Sequence, residues 1–256
     1  NISYEIYNKQ FSYDLTEFRE LYIDQRISSY LSFKGGKQTI IWGQWSSFSP
    51  IDLLLPFDFA IIGPSFNKEQ IKQPVESYNL TFSPINEWIT TLYYFPKFTI
   101  DYSSRESLDY AEENGDIVTY PTASQESQYA LRSVYLGKNF NFGLTVFSGY
   151  EILRNRYSAI NTYDSETVSL TSSSQYMFPR KYAIVIEANK QLSSSDTIGT
   201  EILFQNRKAI LSDLGGSYNN GSASGKNYLD WVQNSNNGLF YANQYMLLSS
   251  IGYEKN

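Results

Sequence analysis

The residues able to do chemistry in this chain are carboxylates, lysines and arginines set at alternate positions of otherwise apolar segments. Glu20, Asp24 and Arg26 share one parity of a single segment, and Lys37 stands in the next. Glu5 and Lys9 precede them; Arg132, Lys181 with Glu187, and Glu201 with Arg207 continue the theme. At a spacing of two, such side chains lie on one face of an extended chain. Opposite charges on neighbouring strands then hold the strands together. Around an aqueous interior the same groups form an array that sets ion selectivity; in a filled interior they form a network that stiffens it. Acids and bases nearly balance over this set, so no strong preference for anions or cations is expected.

Other chemistry is narrowed by what is missing. The chain has no Cys and no His, which excludes disulfides, thiolate or imidazole metal sites and the usual catalytic triads. An enzyme built from the remainder would need a carboxylate pair or a Ser–Lys arrangement. No local motif supplies either, and no enzymatic activity is expected. The run Asp101, Glu106, Asp109, Glu112, Glu113 and Asp116 offers oxygen ligands for calcium but lacks EF-hand spacing, and it reads as an exposed loop. No metal and no cofactor is expected. A net charge of −6 and a pI near 4.8 argue against nucleic acid as a partner.

The elements that position these residues have a period of two. Phe140, Phe142, Leu144, Val146, Tyr150 and Ile152 fall on one face, and Asn141, Gly143, Thr145, Gly149 and Glu151 on the other, with Phe147 the exception. Similar alternation marks Tyr182, Ile184 and Ile186; Ile198, Ile202 and Phe204; Leu21, Ile23 and Ile27; and Tyr78, Leu80 and Phe82. Strands are expected near residues 2–10, 18–28, 30–42, 75–85, 88–100, 125–137, 139–151, 177–191, 196–209 and 239–253. Very short connections, such as Ser28 to Tyr30, Asn86-Glu87, Lys138-Asn139 and Leu192 to Asp196, alternate with long polar ones. The long ones run roughly from Ser46 to Gln73, Tyr102 to Gln125, Arg154 to Ser174 and Leu211 to Asn236.

That alternation is the pattern of an outer-membrane barrel, with tight turns at one end and long loops at the other. Aromatic residues are 17% of the chain, and Trp42, Trp45, Trp88, Tyr93, Tyr94, Tyr135, Tyr150 and Tyr182 cluster near strand ends. Amphipathic rings gain from lying between hydrocarbon and water. A soluble β-sandwich or jelly roll would use shorter strands and faces richer in Val, Ile and Leu. No stretch approaches the roughly 20 apolar residues of a transmembrane helix. The expectation is therefore an all-β chain, residues 1–256 forming a single domain. Its fold is an antiparallel up-and-down transmembrane β-barrel with about ten visible strands. Its location is the outer membrane of a Gram-negative bacterium, with membrane lipid as one partner; a homo-oligomer or association with other outer-membrane proteins stays open. The end Glu254-Lys255-Asn256 resembles a turn more than a final strand, so further strands are expected to follow and the barrel to be larger.

A short-range pattern points the same way. Gly36-Lys37-Gln38-Thr39-Ile40-Ile41-Trp42-Gly43, followed by Ser49-Pro50-Ile51-Asp52-Leu53-Leu54-Leu55-Pro56, resembles a motif of porin-like bacterial outer-membrane proteins. In that motif Gly-Arg-Gln and two apolar residues precede Trp-Gly and a Pro-x-Asp-Leu-x-x-Pro loop, and Lys37 stands where Arg is usual. Phe18-Arg19-Glu20-Leu21-Tyr22-Ile23-Asp24, Gln73-Pro74-Val75 and Tyr93-Tyr94-Phe95-Pro96 fit the same group. The resemblance covers roughly residues 18–100. It implies a barrel and says little about substrate.

Read physically, Lys37 is expected on the face of Glu20, Asp24 and Arg26, in a lumenal ladder. Gly43 permits a bend, Pro50 and Pro56 stiffen the loop, and Asp52 caps a turn there. With Asp58 these make a candidate constriction loop that folds inward. The function expected is passive diffusion of small polar solutes through a porin-like channel. The alternative is a plugged barrel with a structural, adhesion or assembly role, for which inward residues as large as Tyr7, Tyr22 and Phe147 would argue.

Overall fold

The computed structural model describes residues 2–8, 16–43, 49–57, 71–100, 108–110, 112–113, 117–119, 126–151, 155–164, 169–193, 196–210 and 241–255. Among the described residues thirteen strands are formed: β1 (Ile2–Asn8), β2 (Thr16–Arg26), β3 (Leu31–Gln38), β4 (Val75–Ile85), β5 (Trp88–Phe95), β6 (Ile117–Thr119), β7 (Gln128–Leu136), β8 (Phe140–Tyr150), β9 (Asn155–Asp164), β10 (Ser169–Met177), β11 (Arg180–Gln191), β12 (Asp196–Ile210) and β13 (Tyr241–Lys255). Ten of them make one sheet in the order β1-β2-β3-β4-β5-β7-β8-β11-β12-β13, each antiparallel to its neighbours. These are the ten segments whose alternation marks them in the sequence. The chain runs up and down, and β1 and β13 are edges not paired with each other, so the sheet is open as described.

The short connections gather at one end. Ile27 and Ser28 amides donate to the Leu31 carbonyl at 2.9 and 3.0 Å, Gly137 to Phe140 at 2.9 Å, and Leu192 to Asp196 at 2.8 Å. The Arg26 guanidinium caps the first turn, donating to the Ser28 and Ser29 carbonyls at 3.0 and 2.9 Å. The long connections leave from the other end. Two of them, expected as loops, carry a second sheet in the order β6-β10-β9, with β9 and β10 antiparallel and β6 parallel to β10. Their sequences, such as Ser169-Leu170-Thr171-Ser172-Ser173-Ser174, alternate too weakly in hydropathy to announce a strand.

The two faces of the large sheet differ sharply. On one, side chains are exposed and apolar: Leu80, Leu92, Leu131, Val146, Ile184, Phe204 and Leu247 stand in a single row across seven strands. Toward the long connections the same register brings Tyr78, Tyr94, Tyr129, Tyr182 and Tyr245 into a row, with Ser148 and Asn206 between. Toward the turns lie Tyr30, Trp88, Tyr135 and Tyr253. Trp88 and Tyr94 are six residues apart on β5, roughly 20 Å along the strand.

The other face is covered. Ile40, Trp42, Ile51, Leu54, Leu55, Val75, Phe95, Ala130, Phe147, Ala183, Val185 and Leu203 form its buried apolar cluster. Ile51, Leu54 and Leu55 come from the connection between β3 and β4. Its short 3-10 helix, Pro50–Leu54, reaches across to contact β12 and β13.

Candidate functional site

The covered face and the segment docked on it hold most of the charged residues singled out above. The segment starts where β3 ends. There Glu20 of β2 accepts the Thr39 amide at 2.6 Å, and Gln38 donates from its side-chain amide to the Ser77 hydroxyl on β4 at 2.8 Å. Trp42 follows, buried with its ring edge-on to Tyr93, Phe95 and Phe147 at centroid distances of 5.2, 6.3 and 6.4 Å. Phe147 breaks the alternation of β8 because the docked segment makes its side of the sheet apolar at that point.

Three contacts fasten this segment to distant strands. Arg132 of β7 donates to the Trp42 carbonyl at 3.0 Å. Lys181 of β11 donates to the Leu53 carbonyl at 3.2 Å. The Ser49 hydroxyl donates to Glu201 of β12. The segment also closes on itself: Lys72, buried, donates to the Asp52 carbonyl at 2.7 Å, pairs with the Asp52 carboxylate at 3.6 Å, and lies 3.9 Å above the Phe57 ring. The Gln73 amide donates to the Pro56 carbonyl at 3.2 Å.

Beneath it the charges pair across strands. Arg132 forks onto Glu187, with its second nitrogen 3.3 Å from the carboxylate. Lys181 lies 3.4 Å from Glu151, whose other oxygen accepts from the Gln205 amide at 2.9 Å. Low polarity strengthens each attraction and raises the cost of leaving any member alone. Arg132, Lys181, Glu187 and Glu201 thus anchor the segment, as a network that stiffens the interior; they do not stand open to solvent as an exposed array.

The expected ladder on β2 and β3 is corrected by the register. Lys37 is opposite Leu21 on one side and Glu76 on the other. Leu31 and Phe33 share its parity, opposite Phe82 and Leu80, so Lys37 belongs to the bare face and not with Glu20, Asp24 and Arg26. Lys34 takes that place: it is opposite Asp24, and its ammonium lies 3.8 Å above the Tyr22 ring. Gly36, at φ 132°, sits against β2 where a Cβ would fall 2.4 Å from the Leu21 carbonyl oxygen. Asp24 and Arg26 are exposed.

Pro50, Asp52 and Pro56 are buried in the docked segment. Asp58 lies outside the described residues, as do Asp101, Glu106 and Asp116 of the acidic run. Arg207 is opposite Lys181 and Gln244 in the backbone register. Ser49, Lys72 and Glu151 were not singled out from sequence. Glu151 was visible as a polar-face residue, whereas Lys72 lies in a stretch without alternation. Among the described residues no group of three or more Asp and Glu could hold a metal ion, and no helix is long and apolar enough to cross a membrane.

No protein-family model matches the chain, and no curated protein or solved structure shows significant similarity to it. The motif residues nonetheless have a common use: Gln38, Trp42, Pro50, Asp52 and Pro56 all build or dock the inserted segment.

Proposed function

We propose that this chain forms the wall of a bacterial outer-membrane β-barrel with a porin-like passage for small polar solutes, narrowed by the inserted segment. The bare face carries the reading. Soluble monomers seldom expose an apolar patch beyond a few hundred Å², and here one apolar row crosses seven strands, flanked by tyrosines at the loop end and by Trp88 with tyrosines at the turn end. A layer of hydrocarbon bounded by two interfaces is the environment that such a band matches. In that environment the edges β1 and β13 cannot stay open, because unpaired backbone groups are costly in lipid. Closure joins them directly or through further strands.

On the covered side, the region of β2 and β3 bearing Tyr22, Asp24, Arg26 and Lys34 is more exposed than the wall under the inserted segment. Solutes pass along that region. Its mixed charges favour small polar species of either sign. A plugged barrel is the second reading, favoured by the twelve-residue apolar cluster that the inserted segment builds on this face.

Planar-bilayer recording separates them. The channel reading expects steady open steps from the refolded wild type and larger steps after deletion of residues 48–59. Steps from the deletion variant alone would favour the plugged barrel. Silence from both, each shown to be folded, would overturn the channel reading.

A further inference from the structure

Four carboxylates are buried on or against the covered face: Asp52, Glu151, Glu187 and Glu201. Three have a base within ion-pair distance, namely Lys72, Lys181 and Arg132. Among the described residues Glu201, only 1% exposed, has none. One of its oxygens accepts from Ser49, and the other, Oε1, has no hydrogen-bond partner. A buried carboxylate without a compensating cation is among the most costly arrangements a protein interior can hold.

The surroundings of Glu201 supply further oxygen. Ser250 of β13 stands directly opposite it, and the Ser250 hydroxyl is buried without a partner. Asn189 of β11 lies on the diagonal, opposite Gly199, and its Oδ1 is also buried without a partner. Diagonal neighbours are within reach of long side chains. All three orphaned atoms are able to act as acceptors. Two glycines leave room beside them: Gly199 faces Gly252 across β12 and β13, in the row next to Glu201 and Ser250.

From this we infer that Glu201, Ser250 and Asn189 bind a monovalent cation beneath the inserted segment. One uncompensated negative charge and two neutral oxygens match a single positive charge. A divalent ion would call for more carboxylate than the site provides, since Glu187 is already held by Arg132. The ion neutralises Glu201 while the Ser49 hydroxyl occupies its other oxygen, so it contributes to holding the segment down. Either an alkali-metal ion or the ammonium group of a solute supplies this chemistry. The inference concerns the buried charge and stands whether or not the barrel conducts.

The test is thermal unfolding of the refolded full chain in NaCl, KCl, methylammonium chloride and choline chloride at equal ionic strength. The wild type is expected to gain stability saturably in at least one of the first three relative to choline, and Glu201→Gln to lose that gain. A gain in methylammonium alone identifies an ammonium site; a gain in Na⁺ or K⁺ alone identifies a metal-ion site. Ser250→Ala, a milder change, is expected to shift the half-saturating concentration upward about tenfold, the loss of one good ligand contact. Identical unfolding in all four salts, a gain that survives in Glu201→Gln, or an infrared band of protonated carboxyl that disappears in Glu201→Gln would each overturn the inference.

Discussion

The Ser49 hydroxyl donates its hydrogen bond to Glu201, 152 residues further along the chain and on the ninth strand of the ten-stranded sheet counted from β1. The connection that carries Ser49 leaves from β3, so this contact spans most of the covered face. With Arg132 on the Trp42 carbonyl and Lys181 on the Leu53 carbonyl, it makes the inserted segment part of the wall it crosses.

Arg132 serves both the segment and Glu187. Replacing it with Met leaves a carboxylate that is 1% exposed without its base, a loss of about 3–5 kcal/mol. The double variant Arg132→Met/Glu187→Leu is expected to recover most of that, measured by urea titration of the folded protein in lipid. If the double variant is as unstable as the single one, the bond to the Trp42 carbonyl carries the energy instead.

Lys72 fastens the segment to itself. Lys72→Ala removes the contacts to Asp52, Leu55 and Phe57, and limited proteolysis is expected to cut between β3 and β4 faster than in the wild type. The sheet itself should retain its stability. Unchanged cleavage would mean that the anchors on Glu201, Lys181 and Arg132 suffice.

On the bare face, Leu131 sits mid-strand in the aliphatic row. Leu131→Arg is expected to destabilise the refolded protein by about 2–4 kcal/mol, the cost of a cation at the centre of a lipid layer. Lys138→Glu, at an exposed turn, should change stability by less than about 0.5 kcal/mol. Equal effects at the two positions would remove the distinction between band and turn.

Gly36 combines a positive φ with a close approach to Leu21. Gly36→Ala is expected to cost roughly 1–3 kcal/mol, read as a lower denaturation midpoint. Gly137 offers a comparison, since its φ is not in the positive range although a Cβ there would approach the Phe140 carbonyl at 2.6 Å. Position 36 carries both the positive φ and the closer contact, so a smaller penalty there than at 137 would contradict this reading.

The ten strands of the large sheet were legible because alternation between Leu, Ile or Val and polar residues is local, and a period of two survives without tertiary information. The hairpin of β9 and β10 was not, since Ser and Thr fill both parities of β10 and β9 interleaves its few apolar residues with Asn, Arg, Ser and Thr. Face assignment was harder than strand assignment. Lys37 reads as inward from its charge, yet Leu31 and Phe33 fix the opposite parity through the same strand. The docking of Pro50 and Asp52 was expected from the stiffness of the loop, but its partners Ser49, Lys72 and Glu201 meet only through the fold. No spacing in sequence announces a hydrogen bond between residues 49 and 201.

The central claim is that the bare face meets lipid. The chain has no Cys, so single cysteines at positions 92, 131, 146 and 184 can each carry a nitroxide without background, with position 138 as the turn control. After reconstitution into liposomes, oxygen is expected to relax the four band labels more strongly than a water-soluble nickel chelate, and the order should reverse at position 138. Nickel access at the band positions equal to that at position 138 would place the face in water and contradict the account.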